Sequence, residues 1–174
     1  MGVGPRKQTK KAAAVKPKAT EFQVPYEGAS ALPGMGTLVP RNMATAVKRA
    51  LAGLEQRHGG IDRYVADQLG YPVEELGDYF AAEQVDALGM AISNIAEGSG
   101  FIIGDQTGIG KGRVNAAIIR WAKRQGHTPV FITMKPDLYA DMVRDLADIG
   151  MEGFNPLPTN AGMSGDSAIL LPDG

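Results

Sequence analysis

Apolar residues recur at helical spacing through most of the first hundred positions, and the texture then changes to short apolar runs separated by glycines. Met43, Ala46, Val47, Ala50, Leu51 and Leu54 fall three or four apart, with Asn42 ahead of them as a cap and Gly59-Gly60 as a stop, which predicts a helix. A second, shorter helix is predicted from Asp62 to Leu69, with Tyr64, Val65 and Leu69 on one side and Gly70 as its end. A short acidic helix over roughly 73–79 follows. A fourth runs from Ala81 to Glu97 on the stripe Val85, Leu88, Ile92 and Ile95, closed by Gly98-Ser99-Gly100. Ahead of all these, Val24 to Pro40 is read as turns, from Gly28, Pro33, Gly34 and Gly36.

Past residue 100 the pattern is strand, loop, helix, strand, helix. Phe101-Ile102-Ile103 is a short buried strand entering a glycine-rich turn, Gly104–Gly112, and an amphipathic helix is predicted from Arg113 to Gln125. Pro129 to Thr133 reads as a second buried strand. Pro136 and Asp137 open a last helix with Leu138, Met142, Leu146 and Ile149 on one face and Gly150 as its stop. That alternation is the mark of a parallel α/β sheet. Residues 151–174 are loop-like apart from one apolar run, Ala168–Leu171.

Charge adds a tail to this picture. Arg6, Lys7, Lys10, Lys11, Lys16 and Lys18 stand in the first 20 residues with no acid among them, although the whole chain carries a net charge of −1. An aromatic-free basic arm of this kind reads as disordered, and either neutralises nucleic-acid phosphates or is a solubilising leader. The expected organisation is a disordered basic tail over 1–22, a helical preface over 23–98, and the first part of an α/β domain over 99–174. With no cysteine and only His58 and His127, a disulfide framework, a thiolate metal site and a cysteine nucleophile are excluded, and no metal-binding residue is assigned. No secretory signal or membrane-length apolar run is present, so the expected setting is the cytoplasm with no membrane partner.

The chemistry is concentrated in Gly104-Asp-Gln-Thr-Gly-Ile-Gly-Lys-Gly-Arg113. Glycines after a strand let backbone N–H groups converge on an anion, and the following helix adds the positive end of its dipole. A lysine just before that helix reaches the β- and γ-phosphates. The candidate nucleotide-binding residues are therefore Asp105, Gln106, Thr107, Gly108, Ile109, Gly110, Lys111, Gly112 and Arg113, with Lys111 the candidate catalytic residue. One departure stands out: Gly112 occupies the place of the Ser or Thr whose hydroxyl holds Mg²⁺ in such loops. The alternative is a plain glycine-rich turn with a solvated lysine.

These residues, together with Ala82–Leu88, Arg144–Gly150, Val39–Ala44 and Ile61–Val65, resemble the strawberry notch group of helicase-like ATPases, and most closely its phage and plasmid members. The Gly-Lys-Gly-Arg ending of the loop is itself a feature of that group. The resemblance implies a RecA-like P-loop domain of superfamily-2 type, of which this chain holds the opening part. It implies ATP and Mg²⁺ as cofactors, DNA as a partner, the remainder of the motor as another, and a bacterial or phage setting. It also implies that Gln84 reads adenine, since a side-chain amide both donates and accepts; the alternative is a surface glutamine in a first helical turn. Thr133 and Lys135 correspond to the segment that touches the nucleic-acid backbone, or else form an ordinary helix-entry loop.

The acidic Asp-Glu motif of such motors is not found in the sequence, and Ala168–Asp173 imitates it poorly because Pro172 interrupts the run. The function expected is thus an N-terminal part of an ATP-dependent DNA helicase or translocase that binds ATP without hydrolysing it alone. The alternatives are a non-hydrolysing nucleotide switch and an interaction module. The remaining polar residues have bland readings: Trp121 in the core, and Glu74, Glu75, Asp78 and Asp86 on a solvated helix face.

Overall fold

The computed structural model describes residues 17–104, 108–135, 137–154 and 156–157. The basic tail through residue 16 and the run Ala168–Leu171 lie outside them. Two short strands, β1 (Gln23–Pro25) and β2 (Leu38–Pro40), pair antiparallel with Val24 opposite Val39. The glycines and prolines between them give no sign of that pairing. Helix α1 (Arg41–His58) begins directly after Pro40, whose φ of −54° and ψ of 130° place it as the last extended residue. Asn42 is therefore inside the first turn and is not the cap. Gly59, at φ 73°, ends α1 in the left-handed conformation, and Gly70, at φ 71°, does the same for α2 (Ile61–Leu69). A 3₁₀ turn (Val73–Glu75) and the single turn α3 (Leu76–Tyr79) lead to α4 (Ala82–Ala96). Helices α5 (Lys111–Arg124) and α6 (Asp137–Asp148) complete the order.

Helix α4 is central and packs on α1, α2 and α5. Val85, Leu88, Ala91 and Ile92 on it are fully buried, and Gly89 lies flush against Ile61, where a Cβ would meet the isoleucine side chain at 2.8 Å. One hydrophobic cluster runs from Leu51 and Leu54 through Val65, Leu69, Phe80 and Val85 to Val114, Trp121, Leu146 and Ile149. The helical preface and the helix after the glycine loop thus share one core. Trp121 is in it, as its place on the loop-following helix suggests, with its indole N–H donating to Gln68 Oε1 at 2.8 Å. Arg120 and Arg124 reach across from α5 to the carbonyls of Leu69 and Gln68, at 2.8 and 3.2 Å, satisfying the open C-terminal end of α2.

The expected parallel sheet is not seen. Among the described residues the only sheet is β1–β2, and the structure is mostly helical. Both predicted strands, Phe101–Ile103 and Pro129–Thr133, have no regular secondary structure and pair with no other strand among the described residues. They keep the two-residue alternation of a strand: Phe101, Ile103, Phe131 and Thr133 are half-buried, while Ile102, Val130 and Ile132 are 90%, 79% and 86% exposed. Apolarity gives them the look of strands, but a strand also needs a hydrogen-bonded neighbour, which composition does not supply. Among the described residues no helix is long and apolar enough to cross a membrane.

Asp86 is a second correction. It is not on a solvated face but fully buried, accepting hydrogen bonds from the Tyr26 hydroxyl at 2.8 Å and the Ala29 and Ser30 amides at 3.1 and 2.9 Å. Gly28 passes so close that a side chain there would collide with its carboxylate. Glu83, one turn earlier, accepts from the Met35 and Gly36 amides, and Asp62 on α2 accepts from Ala31. Three carboxylates from two helices therefore satisfy the backbone donors of a segment that has little regular structure of its own.

Candidate functional site

The glycine loop ends at Gly110, which caps α5 at φ 77°, and Gly108 also has a positive φ of 96°. L-residues with side chains rarely adopt these angles, so the turn into the helix depends on glycine at both positions. A Cβ at Gly104 or Gly108 would meet nothing within 4 Å, so the backbone there faces open space. Behind Gly110 the amide N–H groups of Arg113 and Val114 turn back to the Gly110 carbonyl at 3.0 and 3.3 Å, opening a regular helix whose dipole points its positive end at the loop. Exposed glycine backbone, a helix N-terminus and Lys111 as first helical residue make a donor set that fits a phosphate group. Asp105, Gln106 and Thr107 lie outside the described residues.

Gln84 is brought to this loop from α4. It is 3% exposed, so the surface-glutamine alternative does not hold. Its Nε2 donates to the Ile109 carbonyl at 2.9 Å and, more weakly, to that of Gly110 at 3.4 Å, while its Oε1 accepts the Ala81 amide at 2.9 Å. The last contact is the return half of a capping box at the start of α4. The amide nitrogen of Gln84 is thus turned to the loop and its oxygen to the start of α4. A side chain on Gly110 would collide with the Gln84 amide, a second reason for glycine there.

Arg113 is one residue past Gly112, but its guanidinium donates to the Tyr79 carbonyl at 3.0 Å and pairs with Asp148 at 3.1 Å. It ties α3, α5 and α6 together. Thr133 is half-buried and Lys135 exposed at the start of α6, where the Lys135 carbonyl accepts the Leu138 amide at 3.2 Å. The structure thus joins Gln84 to Ile109 and Gly110, and sets Thr133 and Lys135 on a different segment.

Two site features have no signal in the sequence pattern. A cleft of about 400 Å³ beside the loop is lined by Thr37, Leu38, Met43, Glu83, Phe101 and Ile109 among others, within the size range of small-molecule sites. Asp145 of α6 lies against Gly112, so that a Cβ on the glycine would collide with Oδ2 and stand 3.2 Å from Cγ. Burial pushes the Asp145 carboxyl above the ordinary range, and the neighbouring Arg144 opposes that. In the sequence Asp145 is one of several acids on a polar helix face, and nothing in its spacing marks it.

The loop geometry agrees with a family relationship. The family model described as P-loop containing NTP hydrolase pore-1 matches residues 62–168, more than half of the chain, from the start of α2 through the loop and α6. No curated protein and no solved structure matches. The matched range includes the glycine loop and Lys111, and the chain belongs to the P-loop containing NTP hydrolase pore-1 family.

Proposed function

We propose that the chain is the nucleotide-binding part of an ATP-driven DNA helicase or translocase of strawberry notch type, acting in the cytoplasm of a bacterial host. The observation that carries this is the loop itself: two positive-φ glycines opening onto the N-terminus of α5, with Lys111 at its head and Gln84 holding the loop from behind. Lys111 takes the β- and γ-phosphates, and Mg²⁺, where bound, neutralises charge on them. Gln84 serves the phosphates by fixing Ile109 and Gly110, and reads adenine from beside the loop. Thr133, Lys135 and the basic residues of the tail are the DNA-binding groups of this reading. The outward apolar side chains of Ile102, Val130 and Ile132 suit a surface that further strands of the motor would cover.

Replacing Gln84 by alanine is expected to weaken ATP and GTP binding together, by roughly three- to tenfold for a hydrogen bond worth about 1 kcal/mol, with ATP losing the larger factor. Calorimetry with both nucleotides checks it, and undiminished affinity for both would remove Gln84 from the site.

In this proposal the 174 residues bind ATP without turning it over, because neither an Asp-Glu pair nor a transition-state arginine from a second domain has been identified among them. Steady-state phosphate release, with and without DNA, is expected to match that of a Lys111→Ala control. DNA-stimulated release that the control lacks would show that the chain hydrolyses ATP by itself. Failure of the parent chain to bind any nucleotide would overturn the proposal as a whole.

A further inference from the structure

P-loop enzymes place a hydroxyl directly after the loop lysine, and that oxygen is one of the few protein ligands of the nucleotide's Mg²⁺. This chain has Gly112 there, with no side chain at all. The space is nevertheless filled: the Asp145 carboxylate, coming from α6, stands in the volume that a side chain on residue 112 would take. Its side chain is 18% exposed, and its other oxygen, Oδ1, lies 3.6 Å from the Arg144 guanidinium. Arg113, the next residue of α5, pairs with Asp148 at 3.1 Å.

We propose that Asp145 is the metal ligand of this phosphate loop, supplying from α6 the oxygen that residue 112 lacks. Mg²⁺ at nucleotide sites is ordinarily held by one or two carboxylates together with phosphate oxygens and waters, so a single aspartate beside the loop is enough. Glycine at 112 then has a reason: a serine there would displace the carboxylate it was meant to assist. Residues 112 and 145 form an exchangeable pair in which one of the two carries the oxygen.

This inference rests on the phosphate-loop reading, and the test separates the two. ATP binding is measured by calorimetry in EDTA and in Mg²⁺ for the parent chain, Asp145→Ala, Asp145→Asn, Gly112→Ser and the double variant Gly112→Ser/Asp145→Ala. Mn²⁺ binding in the presence of a non-hydrolysable ATP analogue is followed by electron paramagnetic resonance. The parent chain is expected to bind ATP in EDTA and to gain affinity with Mg²⁺. Asp145→Ala and Asp145→Asn should keep the EDTA affinity and lose about tenfold or more in Mn²⁺ affinity. Gly112→Ser alone should also lose metal, and the double variant should recover part of it. Should both Asp145 variants keep parental Mn²⁺ affinity, or lose thermal stability alone, Asp145 is only a packing contact. No ATP binding by the parent chain in either condition would sink the phosphate-loop reading instead.

Discussion

Replacing Lys111 by alanine is expected to weaken ATP binding by about 2–3 kcal/mol, the scale of one charge-assisted hydrogen bond in a partly buried site, or roughly 30- to 150-fold in Kd. The lysine is the first residue of α5 and is half-buried at the mouth of the loop. Its removal leaves the positive-φ glycines, the helix end and the Gln84 contact in place. Affinity should therefore fall without vanishing, because backbone donors and the helix dipole still favour an anion. Titration of both chains with ATP in EDTA isolates this contribution from that of the metal. Equal affinities would mean that the loop is a turn and no more. A loss much beyond the expected range, accompanied by a lower unfolding midpoint, would mean that the lysine also holds the fold.

Asp86→Ala is expected to lower stability by about 2–4 kcal/mol, the cost of leaving buried donors without an acceptor. The donors are the Tyr26 hydroxyl and the Ala29 and Ser30 amides, all turned to one fully buried carboxylate. Asparagine is a poor replacement, since its NH₂ would face an N–H donor at one of the two oxygen positions. The pH dependence has an unusual sign. Burial raises the Asp86 carboxyl above its ordinary 3.8 more than its hydrogen bonds lower it. The folded state therefore binds the proton more tightly than the unfolded chain does, and ionisation costs stability. The advantage of the parent chain over Asp86→Ala should be greatest near pH 4 and shrink as pH rises through the folded pKa. Urea unfolding of the two chains between pH 4 and 7 measures the difference. An advantage that grows with pH would show that the three hydrogen bonds to the ionised form outweigh burial.

Helices are the most legible part of the chain. Each of the long ones has a continuous apolar stripe with glycine at or soon after its end, and stripe and glycine stops are local signals. Gly59, Gly70 and Gly150 all adopt the positive φ that their positions suggest. The loop is legible for the same reason, because Gly108, Gly110 and Lys111 are close in sequence and their geometry is set over a few residues. Strand pairing is not legible. Val24 and Val39 meet across a pair of turns, whereas the more apolar Phe101–Ile103 and Pro129–Thr133 stay outside any ladder. Apolar composition says that a segment wants cover, and only a neighbour at the right height makes it a strand.

Helices, glycine turns and a phosphate-type loop follow from residue order, since all of them depend on interactions within one or two turns of chain. What the isolated polar residues do is settled only by packing. Gln84 reaches Ile109 across 25 positions, Asp86 reaches Tyr26 across 60, and Asp145 comes to lie on Gly112 from the following helix. A carboxylate on a helix looks the same in sequence whether it meets water, a backbone amide or a glycine. The difference is made by which face the core turns inward, and that is fixed only when α4, α5 and α6 pack together.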